Sequence, residues 1–219
     1  MKTTTFLLIC LVFLSACSAS NQPSPTQLLP TTPPTAEPTH QPTPSAPTVT
    51  PRDPQAEVLA RAAQVILLLK NQDMDGLSEV VHRNIGVRFS PYATINYDDR
   101  IFLKDQIPGL MTDPTIYHWG VNDGSGADID LTFAQYFAEF VYDVDFASAP
   151  QIAVNQRLGP GSTIDNSREV YPDNMIVDYH FPGFDPQYEG MDWRSLRLVF
   201  KYCQGSYDLI GIIHDEWTP

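Results

Sequence analysis

The chain is short of positive charge, of cysteine and of long apolar runs, and each shortage excludes something. Thirteen Lys and Arg stand against 26 Asp and Glu, a formal charge of −13. All of these except Lys2, Glu37, Arg52 and Asp53 lie beyond Pro54, so the acidic excess belongs to the C-terminal part. A phosphate backbone would be repelled there, which sets nucleic acid aside as a partner. Of the three cysteines, Cys10 and Cys17 fall near the start and Cys203 is alone in the remainder, so no disulfide forms within that remainder. Cys203 reads as a small buried hydrophobe rather than a nucleophile. The apolar run Phe6 to Leu14 is shorter than the about 20 residues that a permanent bilayer span requires. No internal repeat, no second hydrophobic span and no recognisable catalytic motif occurs.

What the N-terminus does contain is an address. MKTTTFLLICLVFLSAC combines a basic residue, Lys2, an apolar stretch and small residues before a cysteine, the pattern of a secretory signal. Leu14-Ser15-Ala16-Cys17 matches the bacterial lipobox, which predicts a signal peptide over 1–16 and lipidation of Cys17. The competing reading is an ordinary signal peptide cut near Ala16 or Ala19, with Cys17 incidental. Two acyl chains on Cys17 are enough for stable attachment, so the membrane is the expected partner and the extracytoplasmic side, cell surface or periplasm, the expected location. Residues 17–54 are dominated by Pro, Thr, Ser and Gln and are expected to form a disordered stalk biased to polyproline II, reaching up to roughly 100 Å when extended. His40 lies within it and reads as solvated.

Residues 55–219 make one domain's worth of chain. Asp53 is placed to cap a helix whose first position is Pro54, and Val58, Leu59, Ala62, Val65, Ile66 and Leu69 recur at helical spacing. Met74 to His82 predicts a second helix, Gly86 to Ser90 a short strand, and Ile101 to Leu110 an irregular or helical turn. Alternation begins at Thr115, and Thr132 is placed to cap a third helix over Phe133 to Tyr142. Strands are expected over Ile152 to Arg157, Met175 to Phe181, Ser195 to Cys203 and Tyr207 to Trp217, the last two joined by a tight hairpin at Gln204-Gly205-Ser206. The fold class is α+β, with N-terminal helices packed on a curled, mainly antiparallel sheet.

Between the alternating segment and the third helix lies VNDGSGADID, Val121 to Asp130, which has the look of a calcium loop. Setting Gly126 at the sixth position of an EF-hand puts Val121 first and Thr132 twelfth, so both end ligands fail. A glycine-rich hairpin turn is the expected role, because Asn, Asp and Gly tolerate positive φ.

The order helix, helix, strand, helix, long antiparallel strands, with the tail LRLVFKYCQGSYDLIGIIHDEW, resembles the NTF2-like (cystatin-like cone) superfamily. GVRFSPY, WGVNDGSG, YHFPGFDPQYEGMDWRSLRLVF and GIIHDEWT resemble a group of uncharacterised bacterial surface lipoproteins. The first resemblance implies a cone-shaped domain, and such domains serve as isomerases, dehydratases, assembly modules or ligand cups, so fold does not decide function. An enzyme of that superfamily would hold a His, Asp or Tyr inside the cone, where burial shifts its pKa. His82, Tyr92, Asp178, Tyr179 and His214 are the catalytic candidates, each with a structural role open to it. Arg88 and Arg197 are placed to orient an anionic group, and Trp119, Tyr136 and Trp193 to line the pocket. His214 and Glu216, with Asp178 and His180, would make a metal site only if their strands were neighbours on one face; no metal or cofactor is expected. The aromatic loop Phe181 to Trp193 either fills a satellite core or stacks on a sugar ring. The leading expectation is a membrane-anchored module that binds a small ligand or a surface protein. The alternatives are an acid/base enzyme and a structural protein that forms a homodimer through its sheet.

Overall fold

The computed structural model describes residues 52–218. The expected signal peptide, the expected lipidation site Cys17, His40 and nearly all of the expected stalk lie outside the described residues. Helix α1 (Pro54–Lys70) starts as the sequence predicts: Asp53 accepts from the amides of Gln55 (3.0 Å) and Ala56 (3.2 Å), and Pro54 fills the first position. Its inward stripe is Val58, Ala62, Val65, Ile66 and Leu69, with Leu59 half-buried. Helix α2 (Met74–Val80) stops two residues short of the expected end, because Val81 turns extended and bridges Leu209. No described helix is long and apolar enough to cross a membrane.

Strand β1 (Val87–Ser90) is followed by the two-residue β2 (Ile101–Phe102) and a 3₁₀ segment, Lys104–Thr112. Then come β3 (Ile116–Val121) and β4 (Asp128–Thr132), which pair only with each other, and α3 (Phe133–Phe140). Thr132 caps α3 in a reciprocal box, its hydroxyl accepting from the Gln135 amide while its own amide donates to Gln135 Oε1 at 2.9 Å. The rest is β5 (Gln151–Val154), the one-turn α4 (Ser167–Val170), β6 (Met175–Phe181), β7 (Arg194–Cys203) and β8 (Ser206–Glu216). Gln204 (φ 49°) and Gly205 (φ 95°) are both left-handed, as the two-residue hairpin between β7 and β8 requires.

These strands form an α+β domain around a six-stranded sheet in the order β2-β1-β8-β7-β6-β5. All neighbours are antiparallel except β1 and β8, which run parallel, so the sheet is mixed. It is also open, with β2 and β5 as free edges. The curled sheet of the sequence reading is corrected on this point: nothing closes it, and the two-stranded ribbon β3–β4 stands apart from it.

Register decides which side chains share a face. Tyr179, Leu196 and His214 lie in one cross-strand row; Asp178, Arg197 and Ile213 lie in the next, on the opposite face. The first face packs against the helices and the ribbon in a large cluster that includes Leu69, Leu77, Val177, Leu198, Phe200 and Ile212. The second face carries a smaller cluster of Ile95, Tyr171, Ile176, Val199, Ile210 and Ile213. It is roofed by the segment between β5 and β6, which also covers Trp193: a Cβ at Gly159 would lie 2.5 Å from that indole, so the backbone can approach only as glycine. Both faces of β6, β7 and β8 are therefore buried.

Candidate functional site

Under the helices, where the resemblance implies a cup, the space is filled with rings. Trp119 stacks on Tyr136 with centroids 3.7 Å apart, and Phe89 meets Phe133 edge to face at 5.3 Å. Phe102, Phe137 and Phe140 complete the cluster. Such pairs add about 0.5–1.5 kcal/mol each beyond their burial. Trp119 and Tyr136, expected to line a ligand pocket, are instead buried core members; the Trp119 indole donates to the Leu131 carbonyl at 3.0 Å, while the Tyr136 hydroxyl has no partner. Tyr179 is also a core residue, and burial pushes its hydroxyl up to about 12.

His214 sits at the rim of this cluster, edge-on to Phe140 at 5.8 Å and 1% exposed. Its Nε2 lies 3.5 Å from Asp143 Oδ1, an ion-pair distance without hydrogen-bond geometry. Burial alone would raise the Asp143 carboxyl, but His214 and Arg194 together outweigh it and hold it below its ordinary value. Beyond Asp143 opens a shallow hollow of about 670 Å³ lined by Leu131, Gln135, Glu139, Arg194 and Glu216; the imidazole does not reach it.

Asp178, His180, Arg197 and Trp193 belong to the second face. Arg197 is 1% exposed; its Nη1 pairs with Asp165 at 2.9 Å and its Nη2 stands 3.5 Å from Asp215. Arg157 donates from Nε to the same Asp215 oxygen at 2.9 Å and from Nη1 to the Thr163 carbonyl at 3.0 Å. Asp178 accepts from the Leu158 amide at 2.8 Å, and His180 Nδ1 lies 2.8 Å from the Ser195 hydroxyl. The last joins β6 to β7 and the others fasten the roof to the sheet, so Arg197 is a structural cation and not an anion-orienting one. Trp193 is buried beneath Gly159 and Gly161, a satellite core rather than a ligand platform. Arg88 donates to the Asn96 carbonyl at 2.7 Å. The four-residue metal arrangement does not form: β7 separates β6 from β8, and Asp178 and His214 point to opposite faces.

Among the described residues, one group of three donor side chains does converge, His82, Cys203 and Asp208. His82 Nδ1 accepts from the amides of Asn84 and Ile85, each at 3.2 Å. That fixes the proton of the neutral ring on Nε2, so neither nitrogen offers a metal a lone pair without breaking these bonds.

Of the sequence candidates, Tyr92 alone lines the cleft. This cleft, about 520 Å³, lies between the segment after β1, the β3–β4 turn, the roof and the C-terminus. Its walls are Tyr92, Thr94, Asn96, Val121 to Gly124, Gly126, Ser162 to Ile164 and Thr218. Asp123 Oδ2 accepts from the hydroxyls of Thr218 (2.9 Å) and Thr163 (3.3 Å). The VNDGSG stretch is thus a turn, as expected, with the Gly126 amide donating to the Asn122 carbonyl at 2.8 Å; it is also one wall of the cleft, which the sequence did not reveal. Thr94 donates to the Ile164 carbonyl at 2.7 Å and ties the opposite wall. Burial raises the Tyr92 hydroxyl above its ordinary value. The lining contains no Lys, Arg or His; Asp123 is its one charged side chain.

Burial also pushes Asp178 and Asp99 up to about 6 and raises Asp215. Each is higher than in the unfolded chain, so the native state binds more protons and stability rises as pH falls from neutral toward the unfolded value near 4. His180, lowered by burial, opposes this, and Asp143 and Asp165, held low, cause loss of stability below about pH 4. The urea midpoint is therefore expected to be higher at about pH 5 than at about pH 7.5, with Asp178→Asn flattening the slope. A midpoint that declines steadily over that interval contradicts the assignment of these buried carboxyls.

No protein-family model matches the chain, and no curated protein or solved structure matches it.

Proposed function

We propose that the chain is a membrane-anchored extracytoplasmic lipoprotein, tethered through Cys17, whose NTF2-like domain is a binding module for a small ligand. The order of elements is the one that carries the resemblance, with the β3–β4 ribbon set before the third helix. The anchor rests on the lipobox Leu14 to Cys17. One observation carries the binding reading: a polar cleft is walled by hydroxyls, amides and a single carboxylate, while the space under the helices is occupied by rings. A site of about 520 Å³ falls in the usual range for small ligands. Without a cation in its walls it suits a neutral or positively charged polar molecule and disfavours phosphates and carboxylates.

The acid/base alternative has one observation in its favour, the approach of His214 to Asp143. A general base must come within hydrogen-bond reach of its substrate, and the His214 imidazole is enclosed between Phe140 and the sheet. The binding module is therefore the better-supported reading.

Two measurements on the full chain test it. In cell fractionation the wild type is expected to sediment with membranes and Cys17→Ala to be released; an unchanged membrane fraction contradicts the anchor. In a thermal-shift screen of small polar compounds, neutral or cationic ligands are expected to raise Tm, with the shift lost in Asp123→Ala; a ten-fold excess over Kd corresponds to about 1.4 kcal/mol. Hits that are mainly anionic, or that survive Asp123→Ala and Tyr92→Ala, place binding elsewhere.

A further inference from the structure

A second surface lies at the other side of the C-terminal strand end and shares no residue with the cleft. The segment joining β6 to β7 is held in shape by its own bonds. Asp192 Oδ2 accepts from the amides of Phe184 (3.0 Å) and Asp185 (2.8 Å), Asp185 accepts from Gln187, and the Met191 amide donates to the Tyr188 carbonyl at 2.8 Å. Glu189 (φ 51°) and Gly190 (φ 83°) complete the turn in left-handed conformations. Held this way, the loop turns Trp193 into the roofed core but leaves Tyr188 and Met191 about half exposed, 49% and 47%, with Trp217 beside them at 44%. These three side chains, together with Asp192, Arg194 and Glu216, line a groove of about 310 Å³.

We infer that this groove binds a β-linked, gluco-configured pyranose unit of a glycan. Such a sugar carries its hydroxyls equatorially, so its two faces are C–H surfaces that stack on aromatic rings while its rim offers hydrogen bonds. The groove supplies both partners: two aromatic rings and a thioether for the faces, and for the rim hydroxyls the Glu216 carboxylate, since Asp192 is engaged in bracing the loop. Arg194 is already spent within the protein, with Nε on Asp143 (2.9 Å), Nη1 on the Trp193 carbonyl (2.9 Å) and Nη2 on Glu216 Oε2 (3.0 Å). It therefore fixes Glu216 rather than waiting for an anion, which fits an uncharged ligand. A groove of about 310 Å³ has the size of one or two sugar rings. Three large apolar side chains, two from a loop braced by its own hydrogen bonds and one just after β8, are thus gathered on one open surface.

The three tryptophans make the test selective. Trp119 and Trp193 are buried, so Trp217 is the one open to a soluble quencher. Acrylamide quenching of the full chain in detergent is to be measured with cellotriose, with triacetylchitotriose and, as an open-chain polyol lacking a ring face, with sorbitol. Each is used at about 10 mM, above the millimolar Kd that two stacked rings support. The expected result is saturable protection by at least one trisaccharide and none by sorbitol. Tyr188→Ala should weaken it about tenfold, the loss of one stacked ring. Tyr188→Phe should retain it, and Asp123→Ala, in the separate cleft, should leave it unchanged. Melting at the wild-type temperature confirms that the exposed Tyr188 variants remain folded. Protection by neither trisaccharide overturns the inference, as does equal protection by sorbitol. So does protection indifferent to Tyr188→Ala. Loss in Asp123→Ala alone would assign the sugar to the cleft, overturning the groove while leaving the binding-module reading standing. Retention on cell-wall material that vanishes when attached protein is stripped would mean a protein partner and would also overturn it.

Discussion

A guanidinium buried in the middle of a β-sheet constrains nearly everything on one side of this domain. Arg197 lies in β7, between strands that also contribute Asp178 and Asp215, and is almost entirely shielded from water. Removing one partner from such an assembly typically costs about 3–5 kcal/mol, because the remaining charge is left uncompensated in a poorly polarisable interior. Asp165 supplies the second strong contact, and it comes from the roof rather than the sheet. Arg157 repeats the device from the roof's near end. The otherwise irregular chain between β5 and β6 is thus tied at several points, and its Ser162, Thr163 and Ile164 are held where they form a wall of the polar cleft. The ionic network is structural chemistry that positions one wall of the cleft.

The opposite face is organised by shape instead of charge. Rings from β1, β3 and α3, with side chains of the long strands, fill the volume under the helices. The parallel contact of β1 with β8 carries Phe89 into the centre of that cluster. With the interior filled, the two concave surfaces described above lie at the periphery: the hydroxyl-rich cleft and the aromatic groove. Both gather around the C-terminal end of β8, with Trp217 in the groove and Thr218 in the cleft.

Much of this was legible residue by residue. Asp53, Pro54 and Thr132 announced their helices because capping is local, and Gln204-Gly205 announced a hairpin because two left-handed residues in a row have few other uses. In β7 Arg197 points away from Leu196 and Leu198, to the face opposite the aromatic core. Alternation cannot say whether the polar face meets water or a cover, and the cover here is an irregular segment with no periodicity of its own. That is why Asp178, Arg197 and Trp193 looked like site residues and proved to be held within a second core. The parallel β1–β8 pairing joins segments more than 100 residues apart, a closure that no local pattern encodes. The cleft was illegible for the same reason, since Tyr92, Asp123, Thr163 and Thr218 meet only through the fold.

The central claim is that the buried charges of β7 and β8 hold the roof, and through it the cleft, independently of the aromatic core. Hydrogen exchange read peptide by peptide in Arg197→Met and in the milder Asp165→Asn tests this most directly. The account predicts faster exchange across residues 157–171 in both variants, graded with the number of ion pairs lost, while α1 and α3 keep wild-type protection. Unchanged protection of the roof, or a uniform loss over the whole domain in both variants, would contradict it.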